Sequence, residues 1–323
     1  DTYSNDAVVA DASDDQYVPI SILFENDCVL IVNKPCGVPH HDDPVVNVTA
    51  GTNQEDRSKQ KQRRMGILSH VRHMQSRKQI PYTGRLYGIH RLDAVTSGIL
   101  VLAKTQPAAA ILSRALRTPG TIQKYYVAVS SKKAKKKKQG FIQGDMKKSR
   151  RGAWILTRSQ ANPAKSRFFT AGLGDINQRY NSFCGNEEHL TESSAVVSAS
   201  TVILFKPLTG RTHQLRVAAK SVGLPILGDS MYSGGNIADG NLGTDTEATV
   251  MTLRERTYLH ATAIHFSLPQ LEELYPGCGT VTVLNLPPFE SLLYPPPPQI
   301  ITASNSNTAD LLTAADDNFI RDT

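Results

Sequence analysis

Metal-binding cysteine pairs are missing from this 323-residue chain. Its four cysteines, Cys28, Cys36, Cys184 and Cys278, are scattered and form no Cys-x-x-Cys pair. That disfavours both structural zinc and a disulfide-stapled scaffold, and points to a reducing compartment. No apolar run approaches the ~18 residues that a membrane helix needs. The first residues carry Asp1, Asp6, Asp11, Asp14 and Asp15, whereas secretory signals start basic and transit peptides avoid acids. The expected location is therefore intracellular and chiefly cytoplasmic, with nuclear and organellar sites left open because the chain does not begin with Met. Hydrophobic residues make up 40% of the chain, somewhat little for a globular protein, so a folded centre with polar extensions is expected.

Acids are scarce where bases are dense. Residues 57–154 hold 24 Lys and Arg against two acids, Asp93 and Asp145. The other residues hold 12 basic and 27 acidic groups, so the net charge of +7 conceals the asymmetry. So one-sided a block repels itself unless a polyanion or solvent neutralises it, and nucleic acid is the favoured partner. An acidic membrane surface fits less well, because no stretch couples the charge to a strongly apolar helical face.

Residues 1–20 read as an acidic, disordered tail. Residues 22–33 read as two short strands around Glu25-Asn26-Asp27, and Lys34-Pro35-Cys36-Gly37 breaks the second. Residues 99–103 form a continuous apolar run, the mark of a buried strand. A helix follows over residues 108–117, with Thr105 as N-cap, Pro107 in the first turn and Thr118-Pro119-Gly120 as terminator. Further strands are expected over residues 122–129, 196–205, 258–268 and 280–284, and a helix over residues 212–221 with Gly223 beyond its end. Loop insertions are expected near residues 42–83, 172–194 and 233–252, and a Pro-containing tail over residues 291–323. There is no internal repeat. Strands outnumber helices and do not alternate with them, which favours an α+β fold with a mixed, mostly antiparallel twisted sheet and flanking helices. One catalytic domain is expected over residues 21–290.

The most informative stretch runs from Gly88 through His90-Arg91-Leu92-Asp93 to Thr96-Ser97-Gly98. It is a polar loop feeding a buried strand, a rigid place to hold a reactive group. The surrounding positive charge should keep Asp93 ionised, the form that can act as a nucleophile. A lone loop aspartate more often caps a turn, or here pairs with Arg91. His-Arg-Leu-Asp also has the look of a protein-kinase catalytic loop, but neither a Gly-rich phosphate loop with its strand lysine nor Asp-Phe-Gly is present.

Together with other stretches this loop resembles the RluA class of RNA pseudouridine synthases. His90-Arg91-Leu92-Asp93 with Thr96-Ser97-Gly98 is similar to that family's catalytic motif, and Lys124-Tyr125-Tyr126-Val127-Ala128 to its second motif. The stretch from Pro207-Leu208-Thr209-Gly210 through Arg211-Thr212-His213-Gln214-Leu215-Arg216 is similar to the third. Val32-Asn33-Lys34-Pro35, Pro225-Ile226-Leu227-Gly228-Asp229 with Tyr232, and Leu259-His260-Ala261 extend the likeness in the family's order over residues 22–290.

The resemblance implies a central basic catalytic cleft and isomerisation of uridine in folded ribosomal or transfer RNA, without cofactor or metal. Asp93 would be the catalytic carboxylate, attacking the anomeric sugar carbon or assisting deprotonation of the sugar. Tyr126 would stack on the target base, with Tyr125 as the alternative in a shifted register. Arg216 would pair with Asp93, and Arg91 would fill the gap left by the flipped nucleotide, since the reacting carbon cannot be reached within a stack. No obligate protein partner is implied, and a monomer is expected.

Two other functions remain open on the same fold. One is a catalytically silent RNA-binding protein; the other is a glycosylase that uses Asp93 to release the base. Several residues have plainer readings. Tyr126 fits a strand core, while Arg211 and Arg216 fit a solvated helix face. His213 and His260 fit structural hydrogen bonding. His40-His41-Asp42-Asp43 has metal-ligand residue types in a Pro-flanked loop, but reads as loop rather than metal site. The Lys-rich run at residues 132–138 fits an RNA contact, a nuclear-localisation signal or a solvated loop. The family's small N-terminal RNA-binding domain is not apparent in the sequence, and the segment between Gly37 and His90 is long and basic for the family.

Overall fold

In the computed structural model of the protein, residues 17–43, 46–48, 60–62, 64–134, 138–172, 201–233 and 256–289 are described. Strands β1 (Ser21–Glu25) and β2 (Val29–Lys34) form an antiparallel hairpin with Ser21 opposite Asn33. Asn26 closes its turn by accepting the amide N–H groups of Cys28 and Val29 on its side-chain oxygen, a standard role for Asn in turns. A short ladder of β3 (Val46–Val48) and β4 (Gln60–Gln62) precedes helix α1 (Ile67–Ser76). That helix lies within residues 42–83, which read as loop in the sequence. Its buried face, Ile67, His70, Val71 and Met74, has helical spacing, but one position is a histidine and the apolar signal is thin.

Next come β5 (Tyr87–Gly88), β6 (Ser97–Ala103) and helix α2 (Gln106–Arg117). All seven residues of β6 are buried, in keeping with its unbroken apolar run. Thr105 caps α2 by accepting the Ala108 amide N–H at 3.2 Å. Then follow β7 (Ile122–Ser130), β8 (Gln139–Gly144), a small hairpin of β9 (Met146–Lys148) and β10 (Trp154–Leu156), β11 (Ala164–Gly172) and β12 (Thr201–Pro207). Helix α3 (Gln214–Ser221), β13 (Leu259–Ser267), helix α4 (Pro269–Leu274) and β14 (Thr280–Leu284) complete the set. Helix α3 begins two residues later than the sequence suggests, because His213 adopts the left-handed conformation (φ 56°, ψ 19°).

The main sheet has ten strands in the order β1-β2-β6-β13-β7-β12-β11-β8, with β5 on β6 and β14 on β13. Its pairings are antiparallel except for β6 with β13, which is parallel and confined to Ser97 opposite His260 and Gly98 opposite Ala261. The α+β expectation holds. Gly98 makes that crossing possible: its φ is +109°, and a side chain there would run into the Ala261 backbone. Beside it, Ser97 Oγ and His260 Nδ1 lie 2.9 Å apart in the core, so His260 has the structural role of a buried hydrogen-bonder.

Two apolar cores meet along this seam. One gathers Leu30, Leu100, Leu112 and Phe266 around β2, β6 and α2. The other gathers Phe205, Ala218, Ile226 and Phe289 around β12 and α3. Tyr126 of β7 packs against both. The expected insertions near 172–194 and 233–252 lie outside the described residues apart from Gly172 and Ser233, as do the tail at 291–323 and most of the tail at 1–20.

Candidate active site

The loop between β5 and β6 is held from below. Lys34, at the end of β2, has no exposed surface, yet it breaks the apolar pattern of its strand. Its Nζ donates to the carbonyls of Pro35 (2.8 Å), Val38 (2.7 Å) and Ala94 (3.1 Å). The Ala94 carbonyl also accepts the Gly37 amide N–H at 2.8 Å, and Cys36 Sγ donates to the Val95 carbonyl at 3.1 Å. His90 Nε2 accepts the Val101 amide N–H at 3.0 Å, tying the start of the loop to β6. Leu92 is buried. With residues 90, 92, 94 and 95 all fixed, little freedom remains for Asp93 between them. Burial, more than its neighbours Cys36 and Asp93 can offset, lowers the Lys34 pKa to about 8.

Asp93 opens into a cleft of about 590 Å³, a size that suits a small substrate group such as a nucleotide base and sugar. The described residues lining it include Arg91, Arg117, Lys124, Arg211 and Arg216, and Asp93 is the one acid among them. The cleft is thus strongly basic and presents a single carboxylate. Burial depresses the Lys124 pKa. The other acid of the basic block, Asp145, is occupied otherwise. It accepts from Ser159 Oγ (2.6 Å) and the amide N–H groups of Asn162 (2.8 Å) and Ala161 (3.2 Å), which hold its pKa down.

Arg216 bridges two carboxylates. Its Nε and one terminal nitrogen grip Asp229 at 2.7 and 2.8 Å, a bidentate arrangement. The other terminal nitrogen reaches Asp93 Oδ2 at 3.3 Å. Asp229 is fully buried and also accepts the Met231 and Tyr232 amide N–H groups at 3.1 and 3.2 Å. Burial opposes the charge on Arg216, but Asp229 and then Asp93 outweigh it and hold the guanidinium pKa above its ordinary value. Arg216 is therefore a buried positioning charge rather than a solvated helix residue.

The structure brings the four sequence-derived candidates Asp93, Arg91, Tyr126 and Arg216 into one cleft. Burial, then Asp93, raises the Tyr126 pKa, so the phenol stays neutral. Tyr125 faces the other way, with its hydroxyl on Gln123 Oε1 at 2.9 Å and Lys206 over its ring, as alternation along β7 requires. Arg91 does not pair with Asp93; it donates to Thr212 Oγ1 at 3.0 Å across the cleft. His213 also lines the cleft, 4.0 Å from Asp93 Oδ2.

Within His40-His41-Asp42-Asp43, the two aspartates are put to structural use. Asp42 accepts from the Gly66 amide N–H and Ser69 Oγ at 2.7 Å each, and Asp43 pairs with Arg64. Among the described residues there is no cluster suited to a metal ion. Of the run at 132–138, residues 135–137 are outside the described part.

The contacts by which Asp229 and Lys34 hold the site, and the place of His213 beside Asp93, were missed in the sequence. Asp229 and His213 lie inside recognisable stretches, but nothing in their spacing reveals which group faces which. A lysine closing an apolar strand was the available signal for Lys34.

Comparisons with known proteins identify the family. Residues 28–221, which include Asp93, Tyr126 and Arg216, match the family described as RNA pseudouridylate synthase. The chain is 36% identical over 247 residues to an uncharacterized RNA pseudouridine synthase of Haemophilus influenzae, covering 76% of this chain and 82% of that protein. It is 29% identical over 256 residues to ribosomal large subunit pseudouridine synthase C of Pasteurella multocida, covering 78% of this chain but 61% of that longer protein. In structure it is similar to human RNA pseudouridylate synthase domain containing 4, with a TM-score of 0.53 and 22% identity over 84% of this chain and 92% of that one. Human RNA pseudouridylate synthase domain containing 1 gives a TM-score of 0.52 at 19% identity, over 92% of this chain and 95% of that one. A single carboxylate held by a buried arginine in a basic cleft thus sits on the fold and within the matched sequence of one family of isomerases, and the chain belongs to the RNA pseudouridylate synthases.

Proposed function

We propose that the chain isomerises a uridine of structured RNA to pseudouridine, with Asp93 as its catalytic carboxylate. One observation carries this reading. Asp93 is the sole acid among the described residues lining a strongly basic cleft, and its Oδ2 lies 3.3 Å from an arginine that a fully buried aspartate holds in place. A carboxylate fixed from one side is preorganised to act on a sugar brought to its other side. The reaction breaks the bond from N1 of uracil to C1′ of ribose and forms one from C5 to C1′. The proton on C5 leaves and N1 gains one, so every atom of the product is already in the substrate.

In this reading Asp93 acts at the sugar, by attack on C1′ or by assisting loss of the sugar proton. Tyr126 stacks on the displaced base, Arg91 leaves Thr212 to occupy the gap in the RNA, and Arg117, Lys124 and Arg211 meet phosphates. The RNA is of the ribosomal or transfer class; the name of the Pasteurella multocida relative favours the ribosomal one. The decisive experiment is product analysis after incubating purified protein with folded ribosomal and transfer RNA. Pseudouridine supports the reading, unchanged RNA would assign the chain to RNA binding alone, and abasic sites would assign it to base release.

A further inference from the structure

We propose that His213 is a positioning residue for Asp93, fixed by Tyr232 as the neutral tautomer that carries its proton on Nε2 and turns that N–H toward the carboxylate. The inference rests on the reading of Asp93 given above.

Tyr232 is buried. Its phenolic oxygen accepts the amide N–H of Trp154, at the start of β10, at 2.9 Å. The phenol's own proton then needs an acceptor, since a buried hydroxyl left unpaired is costly. Among the described residues, the acceptor in reach is His213 Nδ1, at 2.8 Å. A ring nitrogen that accepts carries no proton, so in the neutral imidazole the proton sits on Nε2.

Nε2 is the atom that faces the site. It lies 4.0 Å from Asp93 Oδ2, and Arg216 approaches the same oxygen at 3.3 Å. Arg216 donates to Oδ2, and the His213 N–H, too distant for a hydrogen bond, adds an electrostatic hold on the same oxygen. That leaves Oδ1 the freer of the two to meet the substrate. Burial is the largest influence on the ring and lowers its pKa. Arg216 and Arg91 push the same way, while Asp93 and Asp229 oppose them. The ring is therefore neutral at neutral pH.

The backbone alone does not single out histidine. His213 sits at φ 56°, where non-glycine residues are uncommon and Asn, Asp and His are the usual exceptions. If position 213 served only the backbone, Asn would replace His well. If the Nε2 donor matters, Gln is the better substitute, because its amide reaches about as far as Nε2 and Asn's does not.

Two measurements test this, neither needing the other. Long-range nitrogen–proton NMR of the intact protein, with labelled histidine, reads the tautomer of His213 directly. The expected spectrum has a protonated Nε2 and an acceptor Nδ1 in the wild type, and a mixed population in Tyr232→Phe. A protonated Nδ1 or an imidazolium at neutral pH in the wild type overturns the proposal. In single-turnover assays, His213→Asn should lose roughly 10- to 100-fold in rate, as small misplacements of reacting groups do, with RNA affinity unchanged. His213→Gln should recover most of that loss. Asn equal to or better than Gln in rate, with both variants folded, overturns the proposal. Failure of Asp93 itself as catalyst would appear separately, as activity in Asp93→Asn, and would leave the tautomer result standing.

Discussion

Arg216 holds Asp229 with two hydrogen bonds of 2.7 and 2.8 Å while extending a third nitrogen to Asp93 Oδ2 at 3.3 Å. The guanidinium is thus a rigid link from a fully buried carboxylate to one that faces the cleft. Removing one partner of a buried pair leaves the other charge uncompensated. Asp229→Asn should therefore destabilise the fold by about 3–5 kcal/mol. Urea denaturation would show this as a lower midpoint at unchanged slope. Replacing the pair together, with Asp229→Asn and Arg216→Met, keeps an acceptor for the Met231 and Tyr232 amides and should restore much of the stability but none of the activity. An unchanged midpoint for Asp229→Asn would mean that the pair contributes nothing to the fold.

The two adjacent tyrosines of β7 should separate stability from substrate handling. Tyr126→Ala should weaken binding of the target nucleotide by roughly 1–3 kcal/mol, the worth of one stacked base, and slow turnover further by misplacing the sugar. Tyr126→Phe should keep most of the affinity. Tyr125→Ala should act mainly on stability, because Tyr125 is buried on the opposite face. Parallel thermal melts and RNA titrations of the three variants check this. Greater loss of RNA binding from the Tyr125 change would reverse the assignment.

Much of the site was legible in the sequence because its parts lie in short, recognisable stretches. The Asp93 loop precedes a wholly apolar strand, Tyr126 sits on a β-branched and aromatic strand, and Arg216 follows a turn of Pro207-Leu208-Thr209-Gly210. Of the pairings across the fold, Arg216 with Asp93 followed from the family resemblance, but Arg216 with Asp229 was not legible. Asp229 lies 13 residues from Arg216, and no periodicity marks two such residues as partners. The strands β8 to β11 were also missed. β8 begins Gln139-Gly140 and ends at Gly144, and the β9–β10 hairpin is rich in Lys and Arg, so neither carries a strand pattern and both went unassigned in the sequence. In the fold β8 pairs with β11, with Ser166 opposite Ile142 and Phe168 opposite Gly140, and Ile142 and Phe168 anchor the two strands in the second core. Helix α1 was hidden because tertiary burial of His70 completes an apolar face that the sequence leaves broken.

Acid should destabilise the fold through histidines that are buried neutral. Burial is the main cause that lowers the pKa of His260 to about 4, of His40 to about 4 and of His90 to about 3. In the unfolded chain each would bind a proton near its ordinary value of about 6.5. Stability is therefore fully present above that value and is lost as pH falls from about 6.5 toward 4, where the unfolded state binds more protons. Each histidine contributes up to about 1.4 kcal/mol per pH unit within that window. Denaturation midpoints at pH 7.5, 6 and 5 should fall in order, and His260→Gln should flatten the trend. A midpoint independent of pH across this range would contradict the assignment of these rings as neutral.

RNA affinity should fall steeply with salt, because Arg91, Arg117, Lys124 and Arg211 line the cleft and each phosphate neutralised releases counterions. Arg117→Ala and Arg211→Ala should each reduce the slope of log affinity against log salt by about 1. Neutralising the lysines at 132–138 should reduce it further if that run contacts RNA; an unchanged slope would identify it as solvated loop.

The most direct test of the whole account is the activity of purified Asp93→Asn on folded RNA. Asn keeps the size of the side chain and serves nearly as well as Asp in capping a turn, so the fold and RNA binding should survive. The negative charge is lost, and with it the group's capacity to attack the sugar or to assist loss of its proton. The account predicts a folded protein that binds RNA at least as tightly as the wild type and forms no pseudouridine. Near-normal pseudouridine formation by that variant would contradict it, and would reduce Asp93 to a turn residue.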